Sequence, residues 1–242
     1  MTDAQRADAR TRIVEAAMAL AAERDWPTIE LPDIAHRAEV SLADLRDAFP
    51  SKDAILGGFA RMIDRKVLEG TKDDLAGEPA KDRLFDVLMR RIDALVPYRG
   101  ALKRLRASMP RDPLTLAALN SAALNSHRYM LAAANIPTSD AMGHLKVQGL
   151  AIAFNRVVDG WLREDDDPDL SKTMAALDRA LTRGGVMLDR VEDAMRLTAP
   201  FRAFAHSFKE AGEKFRARMS EQRARRDAER NAPKPDDDVV AI

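Results

Sequence analysis

Cysteine is absent from the 242-residue chain, which excludes disulfide staples, thiolate metal sites and a cysteine nucleophile. Aromatic residues make up only 5% of the chain, and there are 11 glycines. No apolar run approaches the ~20 residues that span a bilayer. The opening MTDAQRADARTR is polar and lacks the apolar stretch of a signal peptide, so a cytoplasmic location is expected. Basic and acidic residues balance at 39 each, so the overall charge does not argue for a nucleic-acid partner, and any such argument must come from local distribution. Phosphate loops, dinucleotide fingerprints and nucleophile elbows are missing as well. His36, His127, His144 and His206 are scattered, without ligand spacing. The runs Asp165–Asp167 and Asp236–Asp238 lack the glycine and closing glutamate of a calcium loop. A non-enzymatic protein without metal or cofactor is expected.

What is present is helical. Alanine and leucine lead the helix-propensity scale and are abundant, and no clear run of alternating β-branched residues occurs. An all-α fold follows. Ile13, Ala16, Ala17, Leu20 and Ala21 keep the 3-4 spacing of one apolar helix face, over about 8–23. Pro27 ends that helix, and Trp26 is expected to plug a small core. The stretch LPDIAHRAEVSLADLRDAFPSKDAIL, residues 31–56, then reads as helix, turn, short helix and entry into a third helix. Ile34, Ala35 and Ala38 are the expected inward positions of the first. Ser41 caps the second, Leu42 to about Ala48, and Ser51 caps the third. That is the layout of a helix-turn-helix, whose second helix enters the DNA major groove.

GTKDDLAGEP, residues 70–79, reads as a connection. Helical patterns follow at about 81–96, 100–109, 113–134, 139–163 and 171–190, with Gly184-Gly185 expected at a helix end. The expected divisions are a head at 1–68, a body at 80–192, an amphipathic basic helix at 200–230 and a disordered tail at 231–242. In the third of these, Phe201, Phe204, Phe208, Ala211, Phe215 and Met219 form a stripe flanked by Lys209, Lys214, Arg216 and Arg218. Burying four such phenylalanines contributes roughly 6–12 kcal/mol, at ~1.5–3 each. Two readings of the stripe stay open: packing on the protein itself or across a dimer, and contact with a membrane surface through Phe204, Phe208 and Phe215.

The residues Asp33-Ile34-Ala35, Ala38, Val40-Ser41, Leu45, Phe49-Pro50-Ser51-Lys52 and Ile55, with Arg12-Ile13, Ala16-Ala17 and Leu20 upstream, resemble the N-terminal domain of TetR-family transcriptional regulators. The resemblance spans about the first 65 residues and keeps the family's spacing without gaps. It implies a TetR-like three-helix DNA-binding head, an all-α ligand-binding and dimerisation body, and a homodimer reading a palindrome. On it, Ser41, Leu42, Asp44, Arg46 and Lys52 are the candidate DNA-binding residues. This chain departs from the family at Glu39, where glycine is usual, at Arg46, where an aromatic is usual, and at Asp47 and Ala48. Residues 1–50 hold six arginines and ten acids, a net charge of −4, while phosphate neutralisation normally supplies most non-specific DNA affinity.

A second resemblance lies in WLREDDDPDLSKTMAALDRAL, residues 161–181. Through Trp161, Asp169, Thr173-Met174, Leu177-Asp178 and Leu181 it is similar to the C-terminal part of the lipid-binding proteins of ubiquinone biosynthesis, which share the TetR fold. Two functions are therefore expected. The first is a homodimeric DNA-binding regulator, with a small apolar ligand as candidate release signal. The alternative is a non-enzymatic lipid- or isoprenoid-binding accessory protein that docks on membranes. Phe85, Leu88, Met89, Leu119, Met130, Leu150, Phe154 and Trp161 are the candidate ligand-pocket residues in either case, and helices 139–163 and 171–190 are the expected dimer contact.

Overall fold

The computed structural model describes residues 3–70, 77–108, 113–140, 142–188 and 190, with 3, 4 and 113–119 described by backbone alone. The expected helix at 200–230, with Phe204, Phe208 and Phe215, and the tail at 231–242 lie outside these residues. All regular structure among the described residues is helical. In chain order it comprises α1 (Asp3–Glu23), a 3-10 turn (Trp26–Thr28), α2 (Leu31–Arg37), α3 (Leu42–Ala48), α4 (Lys52–Glu69) and α5 (Ala80–Leu95). After a second 3-10 turn (Val96–Tyr98) come α6 (Arg99–Ser108), α7 (Pro113–Ala133) and α8 (Gly143–Arg163). A further helix, α9, covers 171–188.

The apolar face read from α1 is buried in full at Ile13, Ala16, Ala17, Leu20 and Ala21, and Trp26 is buried beside it. That face packs on α2, α3, α4 and α6, and α4 in turn packs on α5 and α7. The long helix α4 is thus common to head and body, through Ile55 and Phe59 near its start and Ile63 and Val67 near its end. One continuous hydrophobic cluster runs from Ile13 to Leu177. The described residues through 188 form a single compact unit.

Three boundaries differ from expectation, the first being that the helix read from about 8 begins at Asp3. The helix expected from 139 begins at Gly143, because Lys146 holds the preceding turn back over the helix start. Its ammonium donates to the Pro137 carbonyl at 3.2 Å and to Asp140 at 2.6 Å. A Cβ at Gly143 would run into the Thr138 carbonyl, so this close turn requires glycine. Gly184 and Gly185, expected at a helix end, lie inside α9. Thr173 and Leu177 anchor the earlier turns of that helix in the core, and packing of this kind overrides the cost of a helical glycine, about 1 kcal/mol.

Candidate nucleic-acid interface

The turn between α2 and α3 is a Schellman closure. The Val40 amide donates to the Ala35 carbonyl at 3.0 Å and the Glu39 amide to the His36 carbonyl at 3.2 Å. Such a closure puts its C′ residue in the left-handed region, and Glu39 sits there with φ 53°. Glycine takes that conformation freely, whereas a side chain strains it. Arg12 braces the turn by donating to the Ala38 carbonyl at 3.2 Å.

Beyond the turn, α3 is locked at its first residues. Ser41 Oγ accepts from the Asp44 amide at 3.0 Å, and the Ser41 hydroxyl donates to Asp44 Oδ2 at 2.6 Å. Asp44 also accepts from the Ser41 amide, which completes a capping box with aspartate in the usual glutamate position. Leu45 is buried, as is Phe49 at the far end of the helix. The outward positions are Leu42, Ala43, Arg46 and Asp47, all exposed and on one stripe of the helix. Arg46 donates to the Pro50 carbonyl at 2.6 Å, which tethers its guanidinium beside the helix exit.

The five candidate DNA residues therefore have different surroundings. Leu42 and Arg46 lie on the outward stripe, and Ser41 and Asp44 form the cap. Lys52 faces inward: its ammonium donates to the carbonyls of Trp26 and Ile29, both at 2.8 Å, and lies 5.1 Å from the Trp26 ring centroid. It closes the C-terminal end of the 3-10 turn. Ala43 and Asp47 join the stripe by exposure, which the helical register from Ser41 onward already contains.

Most of the head's other cations are engaged within the head. Arg37 forms a two-pronged pair with Glu23 at 3.0 and 2.9 Å, and this bonding holds the Glu23 carboxyl below its ordinary range. Arg24 pairs with Asp33 at 2.9 Å, and Arg12 with Asp8 at 3.2 Å. The Asp33 carboxyl is held low chiefly by the backbone N–H of Glu30. Arg10 lies over the Phe49 ring, 4.7 Å from its centroid. Arg6 and Arg10 of α1 face Asp44 and Asp47 of α3 across a groove of about 360 Å³, also lined by Ala9 and Ala48.

In the body, Leu88, Met130, Leu150, Phe154 and Trp161 are buried, and Phe85 and Met89 pack partly buried against the same cluster. The Leu119 side chain lies outside the described residues. Among these apolar groups sits a polar cluster with no visible sign in the sequence. Asp64 of α4 and Arg91 of α5 form a buried ion pair, and Ser126 of α7 donates to Asp64 at 2.5 Å. Arg91 also reaches Met130 Sδ at 3.8 Å and lies 5.9 Å from the Phe154 ring centroid. His127 packs edge-on to Phe154 at 5.4 Å between centroids. Its Nδ1 is 2.6 Å from the Ala123 carbonyl. A carbonyl only accepts, so Nδ1 carries the proton and Nε2 presents a lone pair. Burial drives this imidazole down to about 4.

The residues that carry the second resemblance are largely architectural. Trp161, Thr173 and Leu177 are buried, and Asp178 pairs with Lys81 at 2.6 Å.

No family model and no curated protein matches the sequence. Solved structures do. A TetR transcriptional regulator from Nitrosomonas europaea ATCC 19718 aligns with a TM-score of 0.58 at 24% identity, over 73% of this chain and 97% of its own. One from Rhodococcus sp. RHA1 aligns with a TM-score of 0.56 at 21% identity, over 74% of this chain and 97% of its own. At these identities the likeness is one of fold, and this chain has the fold of those regulators. Among the described residues, no helix is long and apolar enough to cross a membrane.

Proposed function

We propose that this protein is a homodimeric DNA-binding transcriptional regulator whose operator affinity is set by a small apolar ligand in the body. The observation that carries the reading is the outward stripe of α3. A helix fixed by a capping box, in the second position of a helix-turn-helix, offers Leu42, Ala43, Arg46 and Asp47 together. Base edges in the major groove can be met by all four: guanine by Arg46, cytosine N4 by Asp47 and thymine methyl by the aliphatic pair.

Release by a ligand requires that it bind two head arrangements with different affinities. The common helix α4 supports such coupling, since Lys52 ties it to the head and Asp64 ties it to the body core. For dimerisation, α8 exposes Leu145 and Ile152, with open space at Gly149 between them, and α9 exposes Met174 and Val186. Such a face fits an isologous contact between two copies.

The test is fluorescence anisotropy of the full-length protein on duplex DNA from its own upstream region, across a salt series. Sequence-dependent binding is expected, with a log–log salt slope of about −2 to −4, because the engaged arginines leave few cations for phosphates. Arg46→Ala should weaken it. Equal affinity for random DNA at low salt would overturn the reading. It would instead favour the lipid-binding alternative, which the self-neutralised head supports; liposome flotation abolished by Phe208→Asp with Phe215→Asp would be its signature.

A further inference from the structure

We infer that Leu42 is a specificity-determining residue that reads the 5-methyl group of a thymine, an inference that rests on the DNA-binding reading above. Leu42 is 53% exposed although it is a large apolar side chain at a fixed position. Its backbone is held by the cap immediately before it, where Ser41 and Asp44 exchange three hydrogen bonds. Leu45, one turn further on, is buried and fixes the rotation of α3, which leaves Leu42 at the edge of the outward face with about half its surface open. Ala43 lies beside it on the same stripe, which makes the leading part of the outward face aliphatic.

The thymine methyl is the one apolar group that the base pairs of B-DNA show in the major groove. Charge narrows the choice further. Asp47 and the net charge of −4 over residues 1–50 disfavour close approach to phosphate on this face, so base edges carry a larger share of the affinity there. Arg6 and Arg10 of α1 face the acids Asp44 and Asp47 across the groove, and Arg46 donates to the Pro50 carbonyl, so Leu42 and Ala43 are the uncharged part of the outward face.

The experiment begins with in vitro selection of duplexes from a random pool by the full-length protein. Each thymine of the selected duplex is then replaced singly by uracil, which removes the methyl group and nothing else. Wild-type protein is expected to lose roughly fourfold in affinity at one thymine per half-site, the worth of one buried methyl. Leu42→Ala should bind the thymine and uracil duplexes equally while keeping its helical circular dichroism. Indifference of the wild type to every uracil, or discrimination retained by Leu42→Ala, would overturn the inference and leave DNA binding standing. Failure of the pool to yield any preferred duplex would remove both.

Discussion

Asp64 on α4 and Arg91 on α5 meet inside the body as an ion pair whose side chains are 12% and 9% exposed. Ser126 supplies a further hydrogen bond to the carboxylate, and Met130 and Phe154 contact the guanidinium. Removing one member strands the other charge in an apolar setting. Arg91→Ala is expected to cost about 3–5 kcal/mol in urea denaturation, whereas the double change Asp64→Leu with Arg91→Met should recover most of that loss. A double variant no more stable than Arg91→Ala would contradict this account.

Glu39 holds a left-handed conformation that its side chain disfavours. Glu39→Gly should raise stability by about 1 kcal/mol, seen as a higher melting temperature. The same change removes one acid beside α3, so affinity for a selected duplex should rise with it. Asn135 closes α7 in the same way at φ 53°, with Ile136 N bonded to the Leu131 carbonyl. Asparagine tolerates that region, so Asn135→Gly should change stability less than Glu39→Gly.

Gly58 shows where helix propensity misleads. Alanine there would gain about 1 kcal/mol in an isolated helix. A Cβ at Gly58, however, would lie 2.6 Å from Phe49 Cε1 and 3.1 Å from Val14 Cγ2. The Phe49 ring is buried and cannot swing away. Gly58→Ala is therefore expected to destabilise by about 1–3 kcal/mol. Gly57 has only the end of the Arg61 side chain nearby, at 3.8 Å, and Gly57→Ala should stabilise.

The His127 imidazole is pushed from 6.5 to about 4 by burial, so the unfolded chain takes up its proton first as pH falls. The stability supplied by the neutral ring is complete above pH 6.5, declines between 6.5 and 4, and is about 3 kcal/mol smaller below that window. Carboxyls that the fold holds low, such as Glu23 and Asp33, push in the same direction. The comparison is therefore with His127→Phe, whose stability should fall less steeply from pH 6.5 to 4; identical slopes would show that the ring does not stay neutral on burial.

Much of this was legible in the sequence, and the reasons are local. The capping residues Ser41 and Ser51, the start of α3 at Leu42 and the buried face of α1 follow from short-range rules, and the structure places them as read. The glycine usual where Glu39 stands has its cause in the Schellman geometry. Lys52 was not legible, because its partners at Trp26 and Ile29 lie more than twenty residues away. Asp64 and Arg91 were hidden for the same reason: each looks like a solvated helix position until neighbouring helices close over it. Arg24 and Arg37 likewise pair with acids of the head itself, contacts that the fold and not the local sequence brings together.

The chain's two tryptophans fall one to the head and one to the body. Trp26 sits in the head with Lys52 over its ring and its indole N–H directed at Asp53, 3.3 Å away. Trp161 sits on α8 with the Arg99 guanidinium 5.7 Å from its ring centroid. Each indole thus emits from a fixed electric field supplied by a neighbour that would part from it on unfolding. With Trp26→Phe and Trp161→Phe in turn, intrinsic fluorescence becomes two separate thermometers, one in the head and one in the body, without any attached dye.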